Sequence, residues 1–335
     1  MNIEIIGGGS LGLLLAGRLA AAESGDSLTL VVRTPRQSEA VSRAGITVQE
    51  QDGKPLHTKD AECLDFAAYS SRQHQAGNGA DWIILALKQK DITPQVVEAV
   101  RRQASQHTRV CCLQNGMGHL EKLRAVFNGS MLYTAVTTEG AMRVSDMEVR
   151  HTGSGSTRIG AVDEGELLTR PHAEVLAATL NRAGFRADVS DHIQMDVWDK
   201  LIMNCVINPL TALLDIRNGQ LLEQPRCLEL MQSLYEEAEA VAAAAGYGRP
   251  ERFRWERLVE VCRATAGNRS SMLQDLSAGR ITELEYLNGS LLREAERYAL
   301  KLPLHETIYR LVSAKEALQV SGEQDETCRK LNYSE

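Results

Sequence analysis

The stretch NIEIIGGGSLGLLLAGRLAAA, residues 2–22, decides the fold of the first half of the chain. A short apolar strand leads directly into Gly7-x-Gly9-x-x-Gly12, and a helix rich in leucine and alanine follows. In this order Gly7 permits a tight turn, Gly9 lets the backbone approach a pyrophosphate, and Gly12 permits close packing of helix on strand. Glycines punctuate many turns, so it is the strand-to-helix context that predicts a dinucleotide-binding domain, with phosphates at the start of the helix.

The next strand, SLTLVVR, ends in an arginine that bears on the choice of cofactor. Arg33 lies about 20 residues beyond Gly12, where NAD enzymes commonly carry an acid that holds the ribose 2′-hydroxyl. An arginine there, with Arg36 nearby, favours a 2′-phosphate instead, through charge-assisted hydrogen bonds. We therefore predict NADP(H) as the cofactor. A solvated surface arginine is the alternative interpretation of Arg33.

Two more predicted strands deliver polar residues at their ends. DWIILALKQKD, residues 81–91, delivers Lys88, and TRVCCLQNGMG, residues 108–118, delivers Asn115 before a glycine turn. Ligands of parallel sheets bind beyond the carboxyl ends of the strands, so both residues are candidate ligand contacts. Each also fits a plain turn residue. Residues 130–160 alternate in the manner of strands and turns and are expected to extend the sheet.

From about Val189 the pattern changes from strands to long helices. A chain of 335 residues, of which 43% are hydrophobic, is long enough for about two domains with real cores. We predict an α/β protein: a Rossmann-type doubly wound sheet over residues 1–189 that binds NADP(H), and an all-helical domain over residues 190–335 that holds the substrate and the catalytic residues.

Composition restricts the classes of partner. A formal net charge of −7 gives no basic field for nucleic acid or for an acidic membrane. No apolar run approaches the roughly 20 residues that span a bilayer, and the N-terminus lacks the basic region of a secretory signal. These features predict a cytoplasmic protein with a small-molecule substrate and no nucleic-acid or membrane partner. We also expect a monomer or homodimer.

Cysteine and histidine usage argues against a metal centre. The seven cysteines are scattered without a C-x-x-C pair, and the eight histidines form no H-E-x-x-H motif. Such a set predicts reduced thiols, no disulfide framework and no bound metal.

A second informative stretch is DVWDKLIMNCVINPLTALL, residues 196–214. Steps of four residues drift only about 40° around a helix, so Lys200, Asn204 and Asn208 form one narrow polar stripe. The positions between them, Leu201–Met203 and Cys205–Ile207, are apolar. This pattern predicts a buried helix whose polar stripe lines a cavity. Buried amides and ammonium groups need partners, either a ligand or a core network with Lys200 reaching solvent. Pro209 is expected to bend or break the helix just after Asn208.

The stretch TAGNRSSMLQDLSAGRITELEYLNGSLL, residues 265–292, adds four polar candidates: Asn268, Ser271, Asp275 and Glu283. Glu283 is expected early in a helix. The alternative to a functional role is therefore a helix-start carboxylate favoured by the helix dipole, with Thr282 as its N-cap.

Taken together, these motifs closely resemble those of the 2-dehydropantoate 2-reductase, or ketopantoate reductase, family. The resemblance extends in order over nearly the whole chain: G-x-G-x-x-G at 7–12, ALKQKD, QNGMG, KLIMNCVINPLTAL at 200–213, RNG at 217–219, NRSSMLQD and RITELEYLNG. It implies reduction of the ketone of ketopantoate to (R)-pantoate by NADPH, on the route to pantothenate and coenzyme A.

The resemblance also implies roles for individual residues. Lys200 matches the catalytic lysine, acting as general acid, and Glu283 matches the active-site glutamate. The substrate-binding positions that it implies are Asn115, Asn204, Asn208, Asn218 and Ser271. Asn268, close to Ser271 in the chain, is a further candidate for binding the substrate carboxylate. The cofactor-binding positions are Gly7, Gly9, Ser10, Leu11, Gly12, Arg33, Lys88 and Asn115.

Three other interpretations remain open. They are a reductase of another branched 2-keto acid, a β-hydroxy-acid dehydrogenase, which also pairs a Rossmann domain with a K-x-x-x-N helix, and a non-catalytic NADP(H)-sensing protein. The SSMLQD segment and Glu283 favour ketopantoate over the β-hydroxy acids. The joint presence of Lys200, Asn204 and Glu283 argues against a protein that has lost its chemistry.

Overall fold

The computed structural model describes residues 1–22, 25–72, 79–163, 169–250 and 253–331. Contacts divide the chain into two compact units. The first contains Met1–Gln114 and His119–Asp196, and the second contains Asn115–Gly118 and Val197–Glu335. The division after Asp196 falls a few residues beyond the boundary expected at residue 189, and the short segment Asn115–Gly118 groups with the second unit.

The first unit is built on two β-sheets. Its strands are β1 (Asn2–Ile6), β2 (Ser27–Val32), β3 (Ile46–Gln49), β4 (Pro55–Thr58), β5 (Glu62–Asp65), β6 (Trp82–Leu85), β7 (Arg109–Cys112), β8 (Leu132–Thr137), β9 (Gly140–Arg143), β10 (Glu148–Gly153), β11 (Thr157–Ala161) and β12 (Ala187–Val189). Eight strands form one sheet in the order β12-β11-β8-β7-β6-β1-β2-β5, and β4-β3-β10-β9 form the other. Residues 130–160 therefore only partly extend the main sheet, because β9 and β10 pair in the smaller one.

Strand β1 lies where the order of the main sheet reverses. It pairs in parallel with β2 on one side and with β6 on the other. A parallel sheet offers its ligand site at such a reversal, beyond the carboxyl ends of the strands. The helices of this unit are α1 (Ser10–Ala21), α2 (Pro35–Ala44), α3 (Phe66–Ser71), α4 (Pro94–Gln103), α5 (His119–Arg124) and α6 (Arg170–Arg182).

Both faces of the main sheet are covered. In β6, Ile84 belongs to the buried cluster that contains Leu13 of α1, whereas its neighbour Ile83 belongs to a second cluster with Val100 of α4. Successive side chains of a strand point to opposite faces, so the sheet carries a core on each side. The predicted doubly wound α/β fold is confirmed.

The second unit contains helices joined by turns, and no strand among the residues described. Its helices are α7 (Ile193–Leu214), whose first residues belong to the first unit, α8 (Gln220–Glu223), α9 (Pro225–Ala244), α10 (Phe253–Ala264), α11 (Ser271–Ser277), α12 (Asn288–Arg297) and α13 (Pro303–Leu331). Helix α7 lies in the core: Ile202, Cys205 and Val206 are fully buried. The predicted all-helical second half, with a buried helix at its start, is confirmed.

Helix α7 continues through Pro209 to Leu214, so of the bend or break predicted after Asn208, the break is wrong. Proline lacks the N–H that would bond the carbonyl of Cys205, four residues earlier. In the structure Asn288 Nδ2 donates to that carbonyl across 3.0 Å. Because a side chain satisfies the carbonyl that the proline leaves free, the helix does not have to open there.

A fully buried arginine anchors the start of α7. Arg254 of α10 donates to Asp199 across 2.5 Å, to Glu239 of α9 across 2.7 Å and to the carbonyl of Tyr247 across 2.5 Å. A buried charge is tolerated only when it is paired and hydrogen-bonded, as this one is. Since Asp199 directly precedes Lys200, the network fixes the backbone from which Lys200 projects.

None of the helices described is both long enough and apolar enough to cross a lipid bilayer.

Candidate active site

The glycine turn after β1 has little room at two positions and open space at a third. A Cβ on Gly7, whose φ is +124°, would lie 2.7 Å from the carbonyl oxygen of Ala86. A Cβ on Gly12 would lie 1.8 Å from the carbonyl oxygen of Gly7. At Gly9, by contrast, a Cβ would meet no atom within 4 Å. Gly7 and Gly12 therefore shape the turn, and the backbone at Gly9 is open to approach, as a pyrophosphate requires.

The cofactor-site candidates of the first unit follow the ends of neighbouring parallel strands. Gly7 follows β1, Arg33 follows β2, and Lys88 comes shortly after β6. Ser10 and Leu11 open helix α1, and both are partly buried. Because the carboxyl ends of parallel strands share one edge of the sheet, the fold gathers these residues at that edge.

Arg33 makes an ion pair with Asp91, a residue that the sequence did not single out as a site candidate. The Arg33 side chain is 71% exposed, and its Nη2 lies 2.8 Å from the Asp91 carboxylate. Asp91 ends a 3-10 helix, Gln89–Asp91, that follows β6. Strands β2 and β6 flank β1. The Arg33–Asp91 ion pair therefore connects the loop after β2 with the 3-10 helix after β6. The exposed face of Arg33 can receive a phosphate, with Asp91 as a competing anion.

Arg143 is a second residue that the sequence did not indicate. It ends β9, donates its backbone N–H to Ser10 Oγ across 3.0 Å and places Nη1 3.4 Å from the carbonyl of Gly8. This puts a cation beside the glycine turn. No spacing rule could have found it, because Arg143 reaches the turn through the pairing of the smaller sheet.

In the second unit the structure brings together the lysine and the glutamate that the sequence proposed as catalytic. Asn115 Nδ2 donates to Glu283 Oε2 across 3.0 Å. Burial lowers the pKa of Lys200 to about 8, and the nearby Glu283 charge opposes that shift. A lysine in this state remains protonated near neutral pH and can give up its proton readily, which suits a general acid.

The local backbone explains why Glu283 faces this cluster. Glu283 precedes a 3-10 helix, Leu284–Tyr286, and α12 begins only at Asn288. The expectation that Glu283 lies early in a helix is therefore wrong. Thr282 Oγ1 accepts from the N–H of Leu284 across 3.1 Å. Thr282 thus closes the turn, and the Glu283 side chain is left to bond Asn115.

The turn at Thr282–Tyr286 is also held by the segment Asn115–Gly118. The N–H of Met117 donates to the carbonyl of Tyr286 across 3.1 Å. A Cβ on Gly116 would lie 1.9 Å from that same carbonyl oxygen, so only glycine permits the approach. The segment Asn115–Gly118 therefore fits against the TELEY segment, residues 282–286, and this contact places Asn115 beside Glu283.

Helix α7 carries the polar stripe into the core. Lys200 and Asn204 are partly buried, and Asn208 is only 6% exposed. One turn further, Thr211 Oγ1 donates to Ser270 Oγ across 2.7 Å. Ser270 is the N-cap of α11, and its hydroxyl accepts from the N–H of Leu273. The stripe is thereby connected to the helix that begins at Ser271.

The remaining substrate-site candidates form a second group. The N–H of Asn218 donates to the carbonyl of Asn268 across 3.0 Å, and Asn218 Nδ2 donates to Thr265 Oγ1 across 2.9 Å. Asn218 Oδ1 is buried and has no hydrogen-bond partner among the residues described. Asn268 and Ser271 are exposed. The remaining candidate, Asp275, pairs with Arg280 across 2.9 Å, which is a local structural contact.

Comparisons with known proteins identify the family of the chain. Residues 3–164 match the family model described as ketopantoate reductase PanE/ApbA, and residues 192–316 match the model of its C-terminal part. The 2-dehydropantoate 2-reductase of Bacillus subtilis is 34% identical over 316 residues, which cover 94% of this chain and 98% of that protein.

Solved structures share the fold over nearly the whole chain. The PanE/ApbA family ketopantoate reductase from Ralstonia eutropha JMP134 superposes with a TM-score of 0.81 at 27% identity, covering 95% of this chain and 99% of that one. A D-mandelate dehydrogenase, solved with NADH and anilino(oxo)acetate, gives a TM-score of 0.84 at 24% identity, covering 95% and 99%, and shows the shared fold alone. The two family models and the full-length relatives establish that the chain belongs to the ketopantoate reductase family.

Proposed function

We propose that the protein reduces the ketone of 2-dehydropantoate to (R)-pantoate with NADPH, and that Lys200 is the general acid. The observation that carries the proposal is the cluster of Lys200, Glu283 and Asn115, in which a partly buried lysine with a lowered pKa interacts electrostatically with a carboxylate that Asn115 holds by a hydrogen bond. Membership of the ketopantoate reductase family supports the choice of substrate.

The glycine turn fits a dinucleotide. Gly9 borders open space, Gly7 and Gly12 tolerate no side chain, and helix α1 begins directly after the turn. The diphosphate would be held by the backbone of this turn and by the N-terminus of α1. Lys88 and Arg33 would hold the adenosine side, with Arg33 on the 2′-phosphate. When bound, the cofactor supplies the hydride that reduces the ketone carbon.

Lys200 then acts on the oxygen of that ketone. Reduction at carbon leaves negative charge on oxygen, and an ammonium beside that oxygen stabilises the charge and donates the proton that completes the hydroxyl. Loss of the proton is favoured because burial already disfavours the charged lysine. Asn204, one turn along α7, can orient both the lysine and the substrate.

Glu283 and the remaining amides place the substrate. A carboxylate held by Asn115 can accept a hydrogen bond from the primary hydroxyl of ketopantoate, and it keeps Lys200 protonated by its charge. Asn208, Asn218, Asn268 and Ser271 supply neutral donors suited to the substrate carboxylate. The buried, unpartnered Oδ1 of Asn218 adds an acceptor that a substrate hydroxyl could satisfy.

One kinetic experiment tests the proposal. Purified protein is assayed with NADPH and with NADH against ketopantoate, 2-ketoisovalerate, which lacks the primary hydroxyl, and phenylglyoxylate, an aromatic 2-keto acid. We expect kcat/KM to be highest for the NADPH–ketopantoate pair. A preference for another keto acid would overturn the substrate assignment. NADPH binding without turnover of any keto acid would indicate a cofactor-sensing protein.

The wider setting is part of the proposal. Pantoate formed by this reaction would enter the synthesis of pantothenate and coenzyme A, and we propose a cytoplasmic monomer or homodimer that acts on a small molecule. The family resemblance supports the pathway, and the composition of the chain supports the location.

A further inference from the structure

We propose that Asn288 is a positioning residue: its side-chain amide links the segment that carries Glu283 to the helix that carries Lys200, and so fixes the two residues relative to each other. The inference rests on the proposed function for the roles of Lys200 and Glu283. It does not rest on that function for the link itself, which is a structural relationship between α7 and the start of α12.

The link is one buried hydrogen bond at a weak point of α7. Pro209 has no N–H, so the carbonyl of Cys205 loses its ordinary helical partner. Asn288 Nδ2 donates to this carbonyl across 3.0 Å, and both residues are fully buried. Water cannot substitute for the amide at a site from which solvent is excluded, so the bond depends on Asn288.

A second bond fixes the orientation of the Asn288 amide. His305 Nε2 lies 3.0 Å from the carbonyl of Leu234, which can only accept, so Nε2 carries the proton. Burial lowers the pKa of His305 to about 4, so the ring is neutral near pH 7 and Nδ1 is an acceptor. Asn288 Nδ2, 3.1 Å from Nδ1, therefore donates to it with its second hydrogen.

This orientation of the amide leaves its own oxygen without a hydrogen bond, which is unfavourable in a buried site. With both N–H groups directed at Cys205 and His305, the Oδ1 atom of Asn288 is buried without a hydrogen-bond partner among the residues described. Turning the amide over would set this oxygen against two acceptors. A fully apolar residue would avoid the unpaired oxygen, but it would leave the Cys205 carbonyl unsatisfied and the two segments unlinked.

Sequence spacing connects this bond to the proposed catalytic pair. Cys205 lies five residues after Lys200 on the same helix, and Asn288 lies five residues after Glu283 in the same turn segment. The intervening turn is short and internally bonded, because Tyr286 and Leu287 both donate to the carbonyl of Glu283. A displacement of Asn288 relative to Cys205 is therefore passed on to the distance between the Lys200 ammonium and the Glu283 carboxylate.

The alternative is that Asn288 only repairs the gap left by Pro209. The two roles can be separated, because Pro209→Ala restores a backbone N–H for Cys205 but creates no link to the Glu283 segment. Stability and catalysis should then respond differently. If the amide is only a repair, restoring the N–H should recover both quantities. If it positions the pair, restoring the N–H should recover stability alone.

The experiment compares Asn288→Ala, Pro209→Ala, the double variant and Ser290→Ala. Ser290 is a matched control, since it is buried in the same helix and its hydroxyl donates to the carbonyls of Tyr286 and Leu287, not to a carbonyl of α7. Three quantities are measured: the melting temperature, kcat for ketopantoate reduction, and the pKa of Lys200. For the last, the lysines are reductively methylated with ¹³C-formaldehyde, and the resonance missing from Lys200→Ala is titrated by NMR.

We expect Asn288→Ala to lower the melting temperature, to reduce kcat by about ten- to a hundredfold and to lower the pKa of Lys200, because Glu283 is no longer held beside it. In the double variant the melting temperature should rise above that of Asn288→Ala, though not fully to that of Pro209→Ala because His305 Nδ1 still lacks its donor, while kcat and the lysine pKa should stay low. Ser290→Ala should lower the melting temperature only. If Asn288→Ala does not fold, kcat and the Lys200 pKa of the double variant are compared with those of Pro209→Ala, and lower values in the double variant support the positioning role.

Two results would overturn the inference: recovery of kcat in the double variant to the level of Pro209→Ala, or an unchanged Lys200 pKa in the Asn288 variants. Failure of the proposed function looks different. There the wild-type protein itself would not reduce ketopantoate, and the lysine titration would still report whether Asn288 fixes Lys200 beside Glu283.

Discussion

Asn115 donates a 3.0 Å hydrogen bond to the Glu283 carboxylate, although the two residues stand 168 positions apart in the chain. The bond occupies one oxygen of Glu283, and the charge of the same carboxylate raises the pKa of Lys200 against the effect of burial. The amide therefore orients a carboxylate that in turn controls a lysine. Lys200 and Glu283 should therefore be distinguishable by different kinetic quantities.

Lys200→Ala should reduce kcat by about 10²–10³-fold, because it removes both the proton donor and the charge that stabilises the developing oxyanion. The dissociation constant for NADPH, measured by fluorescence titration, should change little. Lys315→Ala is a suitable control, since Lys315 also bonds α7, through the carbonyl of Ala212. Near-normal kcat in Lys200→Ala would show that this lysine is not the acid.

The pH dependence follows from the same lysine. Only its protonated form can donate, and its pKa is lowered to about 8. For the wild-type protein kcat/KM in the ketone-reducing direction should thus be constant below pH 8 and fall above it. Glu283→Gln removes the charge that raises the lysine pKa, so the fall should begin at lower pH. Glu285→Gln, which alters an exposed carboxylate paired with Arg293, should leave the profile in place. A profile shared by all three proteins would contradict the assignment.

Cofactor preference should depend on Arg33. Loss of one charged hydrogen bond is worth about 1.5–3 kcal/mol, or roughly one to two orders of magnitude in affinity, so Arg33→Ala should weaken NADPH binding by that factor. Binding of NADH, which has no 2′-phosphate, should change little. Asp91→Asn should act in the opposite direction on NADPH, because it removes the anion that now pairs with Arg33. Equal losses for both cofactors in Arg33→Ala would show that Arg33 does not contact the phosphate.

Two alanine substitutions in the glycine turn should have contrasting effects. At Gly12 the new Cβ would meet the carbonyl of Gly7 at 1.8 Å, so Gly12→Ala should lower the melting temperature as well as cofactor affinity. At Gly9 it would meet no protein atom within 4 Å, so Gly9→Ala should keep the wild-type melting temperature and still lose NADPH affinity. Calorimetry and fluorescence titration separate the two effects. Unimpaired NADPH binding by Gly9→Ala would contradict a pyrophosphate at this turn.

Local patterns in the sequence were sufficient for the main elements of the fold. The apolar run before Gly7 and the leucines after it specify β1 and α1, and spacing by four residues specifies α7, because both signals lie within a single element. The continuity of α7 at Pro209 could not be predicted, since it depends on Asn288, which is distant in the sequence. The sequence shows that Pro209 cannot donate to the carbonyl of Cys205, but only the packed structure shows that Asn288 donates to it instead.

The candidate site divides in the same way. Lys200, Asn204 and Asn208 could be proposed together from helical spacing alone, whereas the pairing of Lys200 with Glu283 came from the family resemblance. The cation at Arg143 and the anion at Asp91 were missed, because each reaches the glycine turn or Arg33 through strand order in the sheets. Helix periodicity carries no information about that order.

The grouping of Asn115–Gly118 with the second unit has a practical consequence for dissecting the protein into fragments. The chain passes from one unit to the other after Gln114, returns after Gly118 and passes over again after Asp196, so no single cut separates the two units. A polypeptide ending at Asp196 would keep this segment but lack Tyr286, the residue whose carbonyl bonds Met117. Fragments for separate expression would have to replace residues 115–118 by a short linker in the first polypeptide. The second polypeptide would then lack Asn115, whose side-chain amide donates a hydrogen bond to Glu283.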